Sequence, residues 1–348
     1  MAVYFTTLAL IAILSSLYGK RNTKTINNIL VISCAIILIF VSGFRYCVGT
    51  DYLTYAGLYP KLLTDKLSFF SQPALGIVAR ISAFIFNDYA MWFFLMAVIT
   101  VAPVIYIIKK DSISFSISII LYMLLGCWHY SFNGVKQCAA ASILLLGYNY
   151  IKERKFFKWC LICLIASFFH ISALLMIPLY FLIVPKISTK RIMLLILIGA
   201  IIFFFYDELF DMFEILRPGA SDVDSDVGQR DVSILRIAVC CAPAILGVIF
   251  KSRFDELDQK DERFAVLFNL SVMNAVLNVG TMFSVYLNRF TIYTNIFNIL
   301  FIPYLAKLFK KNERIIFLMV MMSLYFIFWY YDISKPDTAD FQWIFERL

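Results

Sequence analysis

Lys136, Arg236 and Arg289 stand inside or at the edge of long apolar runs. A charge at that depth costs about 2.5 to 3.5 kcal/mol on insertion scales unless a partner, a water-filled cavity or an anionic ligand receives it. A snorkelling side chain or a structural ion pair would account for any one of them; the three together favour an anion site. A fourth basic residue, Arg45, opens the stretch Arg45-Tyr46-Cys47-Val48-Gly49-Thr50-Asp51-Tyr52-Leu53-Thr54-Tyr55. Gly49 permits a tight turn, Thr50 suits a helix cap, and Asp51 suits a first helical turn. Tyr52, Tyr55 and Tyr59 then fall on one helical face, either an aromatic belt at a membrane surface or a sugar-binding face. Asn133, Lys136 and Gln137 share another face, just ahead of Ala139-Ala140-Ala141-Ser142, whose small side chains permit a close helix neighbour. His170, in Phe168-Phe169-His170-Ile171-Ser172-Ala173-Leu174, is a candidate for proton transfer, with a satisfied interfacial histidine as the plain alternative. Tyr286, Arg289 and Tyr293 stack on a last face.

The elements that must position these residues are membrane spans. The chain of 348 residues is 62% hydrophobic and 16% charged, with a mean hydropathy of +0.83, well above the apolar share of a soluble domain. Apolar runs recur from end to end, so a single integral membrane domain over residues 1–348 is expected, all-α, with about twelve spans of the usual ~20-residue length. They fall near Ala2 to Tyr18, Ile29 to Phe44, Tyr89 to Ile108, Ile113 to Trp128, Val135 to Ile151, Phe156 to Phe169, Ile171 to Val184, Ile192 to Tyr206, Val232 to Phe250, Phe264 to Phe283, Phe290 to Leu308 and Ile315 to Tyr331. The first run has no basic flank before it and no small-residue cleavage site after it, and is read as a retained span. Gln72 to Phe86, less apolar and carrying Arg80, is placed as an interfacial or re-entrant helix.

Alternating the loops puts 20 of the 31 Lys and Arg on one side, which is then cytoplasmic. Both termini, an outer loop with a short helix at 45–71 and an acidic loop at 207–231 lie on the other. The basic excess therefore sets orientation in the bilayer and is no sign of nucleic-acid binding. In the acidic loop, Asp222-x-Asp224-x-Asp226 lacks the Gly and Glu of a calcium loop, having Val227 and Ser233 there instead, and no metal or other cofactor is assigned. Six cysteines, Cys34, Cys138, Cys160, Cys163, Cys240 and Cys241, lie in apolar runs as buried thiols, whereas Cys47 and Cys127 fall near the outer surface, where a disulfide is chemically possible.

Four of these stretches resemble the Wzy and EpsG-type polymerases of O-antigen, capsule and exopolysaccharide. Arg45 to Tyr55 is similar to the family's R-x-x-x-G-x-D-x-x-x-Y element and Asn133 to Ala140 to its N-x-x-R-Q-x-x-A element. His170 to Leu174 resembles its F-H-x-S-A-L turn, and Asn288 to Tyr293 its late Arg and Tyr span. Lys136 stands where the family has Arg, which keeps the charge and loses the bidentate fork toward phosphate. The resemblance implies a fold similar to the C-type glycosyltransferases, a site facing the periplasm or exterior of a bacterial inner membrane, and undecaprenyl-pyrophosphate-linked oligosaccharides as substrates. It also leaves room for a chain-length-regulating partner. Under it, Arg45, Lys136, Arg289 and Arg236 are the pyrophosphate-binding candidates. His170 and Asp51 compete as the base, and Tyr52, Tyr55, Gln137, Asn133 and Tyr293 are the sugar-binding candidates. A ligase-like transferase is the alternative within glycan chemistry. A flippase or transporter of lipid-linked sugars is the alternative outside it, and an internal repeat or paired broken helices would mark that one.

Overall fold

The computed structural model describes residues 1–19, 21–69, 72–205, 233–253, 262–282 and 287–347. The acidic loop 207–231, with Asp222, Asp224 and Asp226, and Tyr286 lie outside them. Helices dominate: α1 Ala2–Ser16, α2 Lys24–Gly43, α3 Tyr52–Thr64, α4 Pro73–Ile85, α5 Tyr89–Asp111, α6 Phe115–Leu124, α7 Val135–Leu146, α8 Tyr148–Lys152, α9 Phe156–Ser167, α10 Met176–Leu182 and α11 Thr189–Phe204. Beyond residues 206–232 come α12 Ile234–Ile249, α13 Glu262–Gly280, α14 Leu287–Asn295, α15 Asn298–Ala306, α16 Lys311–Ile333 and α17 Pro336–Ala339. A two-residue antiparallel ladder pairs β1, Arg45–Tyr46, with β2, Gln342–Trp343. Every apolar stretch expected to span contains a helix. Among the described residues, four helices, α2, α5, α13 and α16, are long and apolar enough to cross a membrane by length and composition, and the other apolar helices are shorter.

Local chemistry explains where these helices begin. Thr23 accepts from Ile26 N at 3.2 Å and Asp88 from Ala90 N at 2.8 Å, each satisfying an orphan donor just ahead of an apolar run. On α2, Val31, Cys34, Leu38 and Val41 face the bundle while Ile29, Ile32, Ile36 and Phe40 are exposed. A helix apolar on both faces matches protein inside and hydrocarbon outside. Between helices, polar side chains join what apolar packing alone does not hold in lipid. Thr294 Oγ1 donates to Asn274 Oδ1 at 2.9 Å, Asn274 Nδ2 to the Cys240 carbonyl at 3.2 Å, and Asn269 Nδ2 to the Val184 carbonyl at 2.8 Å.

Contacts between helix ends sort the loops into two groups, in the alternation expected from the basic residues. At one end Lys109 Nζ donates to Asn28 Oδ1 at 2.6 Å, Asn149 Nδ2 to Asp111 Oδ2 at 3.0 Å, and Arg154 to the Ile183 carbonyl at 2.8 Å. Lys251 reaches Thr189 Oγ1 at 3.1 Å, and Arg253 pairs with Glu313 at 3.2 Å. At the other end β1 meets β2, Asp88 pairs with Arg347, and Gly49 N donates to the Asp337 carbonyl at 2.8 Å. Helix α4 keeps both of its ends with this second group. Ala74 N donates to the Phe168 carbonyl at 3.1 Å, and Asn87, just past the helix, lies 3.5 Å from the Tyr59 hydroxyl.

Candidate functional site

The stretch after α2 folds onto the turn before α7. Arg45 is 2% exposed. Its guanidinium donates to the carbonyls of Ser42 and, at 3.1 Å, of Phe132, and lies 4.8 Å from the Phe132 ring centre and 4.9 Å from that of Phe93. Arg45 thus fixes the 3-10 turn His129–Phe132 against the end of α2. Gly49 has φ +98°, and a Cβ there would stand 2.4 Å from Asn133 Oδ1 and 3.0 Å from the Phe132 carbonyl, so only glycine fits. Helix α3 starts one residue later than a Thr50 cap would start it: Asp51 is the N-cap position and makes no capping bond. The Thr50 hydroxyl instead lies 3.3 Å from Asp51 Oδ1 and 3.4 Å from Asn133 Oδ1. Asn133 therefore sits in the turn and not on the α7 face, which begins with Val135.

The aromatic face of α3 points inward. Tyr52, Tyr55 and Tyr59 are all buried, Tyr52 stacking on Phe93 at 4.5 Å and Tyr55 tilting against Trp92 at 6.0 Å. Tyr52 and Tyr55 thus pack on α5. One charged candidate lies close to Tyr55. Lys136 Nζ lies 5.8 Å from its ring centre. Burial pushes the Tyr55 phenol above its usual range and Asp51 adds to that, while the Lys136 backbone N–H and the Arg289 charge pull it back.

One residue further along α7, Gln137 Nε2 lies 3.4 Å from His170 Nε2. The other imidazole nitrogen, Nδ1, is 2.6 Å from Ser172 Oγ and 3.0 Å from the Tyr293 hydroxyl, and those two hydroxyls are 2.8 Å apart. Tyr293 is fully buried, so its hydroxyl serves this network. Arg289 lies one turn from Tyr293 on α14. The beginning of α7 accordingly joins two clusters, with Lys136 at Tyr55 and Gln137 at His170, and α7 is central because it packs on α5, α9 and α14. Ala139, Ala140 and Ala141 are buried in those contacts.

Arg236 stands elsewhere. Its guanidinium lies 4.6 Å from the Tyr130 ring centre, beside an internal cavity of about 20 Å³ lined also by Thr100, Cys138, Cys240 and Asn295, room for a water molecule or two. Nearby, His129 Nε2 is 2.8 Å from Asp332 Oδ2, and Lys335 Nζ donates to Asp332 Oδ1 at 2.5 Å. This buried charge cluster was not anticipated from the sequence, and neither was the part played by Ser172. The H-x-S spacing is the one signal that pointed to Ser172. All eight cysteines are free thiols; Cys47 is exposed and Cys127 partly buried.

A family model of the EpsG family matches residues 28–344. The chain belongs to the EpsG family. No curated protein and no solved structure matches it. The EpsG match begins in α2 and ends just past β2. It therefore takes in both clusters at α7 as well as the C-terminal segment that covers β1. Within this EpsG-family chain, residues far apart in sequence meet at one end of the bundle. Arg45 reaches Phe132 across 87 positions, and Ser172 reaches Tyr293 across 121.

Proposed function

We propose that this EpsG-family protein is a polysaccharide polymerase of the bacterial inner membrane. In this reading it transfers a glycan from undecaprenyl pyrophosphate to the non-reducing end of a lipid-linked repeat at the outer face. The observation that carries the proposal is the junction at the start of α7: of two adjacent residues, Lys136 lies over the Tyr55 ring and Gln137 meets the His170 network. Transfer from a pyrophosphate needs both, cations to stabilise the charge that builds on the leaving group and a base for the proton of the attacking hydroxyl. Lys136 and Arg289 take the pyrophosphate, Asn133 and Gln137 the sugar hydroxyls, and His170 the proton, with Asp51 beside the cations. Arg45 and Arg236, held by internal carbonyls and by the Tyr130 ring, keep the surrounding turn in place, and Tyr52, Tyr55 and Tyr293 give the site a rigid base. A chain-length regulator would act from the exposed end of the bundle.

The transport reading gains nothing from the interrupted helices. Gly147, between α7 and α8, and Phe297, just before α15, keep right-handed helical backbone angles, so these are tightened turns and not unwound segments around a substrate. Arg289→Ala should leave membrane insertion intact and abolish long-chain polymer; a normal chain-length ladder in that variant would reject the assignment. A deletion strain that accumulates lipid-linked single repeats supports a polymerase, and one that accumulates long unattached polymer supports a ligase.

A further inference from the structure

We infer that His170 accepts the proton of the attacking hydroxyl at its Nε2 atom, and that Ser172 and Gln137 are positioning residues that fix the tautomer making Nε2 the basic nitrogen. The inference rests on the polymerase reading and adds to it the reacting atom. The neighbours of the two ring nitrogens differ in kind. Nε2 faces the amide nitrogen of Gln137 at 3.4 Å, a group that only donates, so Nε2 presents its lone pair. The amide oxygen is turned the other way, toward Gly134, where a Cβ would stand 3.3 Å from it. Nδ1 therefore carries the hydrogen of the neutral ring. With that hydrogen it faces Ser172 Oγ, an acceptor, at 2.6 Å, and the Ser172 and Tyr293 hydroxyls lie 2.8 Å apart. Tyr293 is also 3.0 Å from Nδ1, so two hydroxyls from two elements close on the same nitrogen, holding the ring plane and offering acceptors for the hydrogen that the Gln137 amide places there.

The proton-transfer step follows. A sugar hydroxyl takes the place of the Gln137 N–H at Nε2, one donor for another, and the freed amide turns to the sugar. The hydroxyl oxygen forms its bond to the anomeric carbon of the donor as the bond from that carbon to the pyrophosphate oxygen breaks. The bonding pair leaves with the lipid pyrophosphate. The hydroxyl proton goes to Nε2, and the imidazolium, with Nδ1–H still held by Ser172, later returns it to water.

The chain has two histidines, so nitrogen NMR of the full-length protein in detergent, labelled with ¹⁵N-histidine and held at a pH where both rings are neutral, reads each tautomer without any substrate. We expect one ring with hydrogen on Nδ1 and a bare Nε2. Gln137→Glu should move that hydrogen to Nε2, because a carboxylate accepts and does not donate; the His129 signals should stay in place. Ser172→Ala should mix the tautomers and Ser172→Thr should restore the single form, which separates lost positioning from lost folding. In a polymerisation assay on membranes carrying the native lipid-linked repeat, Ser172→Ala should lower turnover roughly tenfold and shift the acid limb of the pH profile, short of the 10² to 10⁴ expected for loss of the base. Hydrogen on Nε2 in the unaltered protein, or a Gln137→Glu spectrum unchanged from it, would overturn the tautomer. A correct tautomer together with full polymer in His170→Ala would overturn the role as base and leave the tautomer standing.

Discussion

The two histidines of this chain occupy opposite kinds of surroundings at the same end of the bundle. His129 is 2% exposed and meets the carboxylate of Asp332, itself 5% exposed and also bound by Lys335. His170 is half-buried and meets a serine, a tyrosine and an amide. A buried carboxylate held by an imidazole and a lysine ties elements together, because that carboxylate stripped of its partners in low dielectric is costly. An imidazole hydrogen-bonded to hydroxyls and an amide exchanges those partners at less cost than one held by a buried carboxylate. The difference teaches that the histidine with the stronger partner is the less suited to chemistry: His129 ties α16 to the turn that carries Asn133, and His170 is left to react.

That contrast can be broken at four points. His170→Ala should reduce polymer formation by about 10² to 10⁴ with little change in thermal unfolding in detergent. A parallel loss of stability would make His170 a second structural histidine. Asp332→Ala should do the reverse and lower stability by about 3 to 5 kcal/mol, read as a collapse of the monodisperse peak or a large drop in Tm. Near-normal stability with lost activity would mean that the His129 cluster is chemical after all. Gly49→Ala places a Cβ against Asn133 and demands a left-handed backbone that alanine resists, at a cost of about 1 to 3 kcal/mol. It should weaken both clusters together, because the turn between them has to shift.

The smallest effect lies at the rim. Arg347 grips Asp88 with both guanidinium nitrogens and holds the Asp88 carboxyl below its ordinary value of 3.8. A depressed carboxyl contributes stability that is fully present above pH 3.8 and is lost as the pH falls through the lower folded value. Because Arg347 remains partly exposed, Arg347→Ala should cost no more than about 1 kcal/mol at neutral pH. The same substitution should flatten the acid limb of the stability curve. An unchanged acid limb would show that the C-terminal segment is held by β1, β2 and the Asp332 cluster alone.

Much of the frame was legible in the residues. Each apolar run expected to span contains a helix, while the short α17 lies beyond the last run, and the contacts of Lys109, Arg154, Lys251 and Arg253 are made between the basic loops. The four motifs were legible as candidates too, since each sets a cation, an imidazole or an amide at a loop or helix start. What each side chain does there was not. Arg45 reads as a pyrophosphate-binding cation at the start of an outer loop, yet the Phe132 carbonyl and two aromatic rings enclose it. Tyr52, Tyr55 and Tyr59 share a face as their spacing required, and the packing of Trp92 and Phe93 turned that face inward.

By itself the sequence determined that this is a helical membrane protein with two chemically distinct ends, because hydropathy and charge act on each segment separately and the bilayer reads them one segment at a time. The tertiary structure alone decided that His129 meets Asp332 across 203 positions and that His170 meets Tyr293 across 123. Hydrogen bonds reach about 3 Å, so a partner that far along the chain is chosen by how helices pack and not by any local spacing.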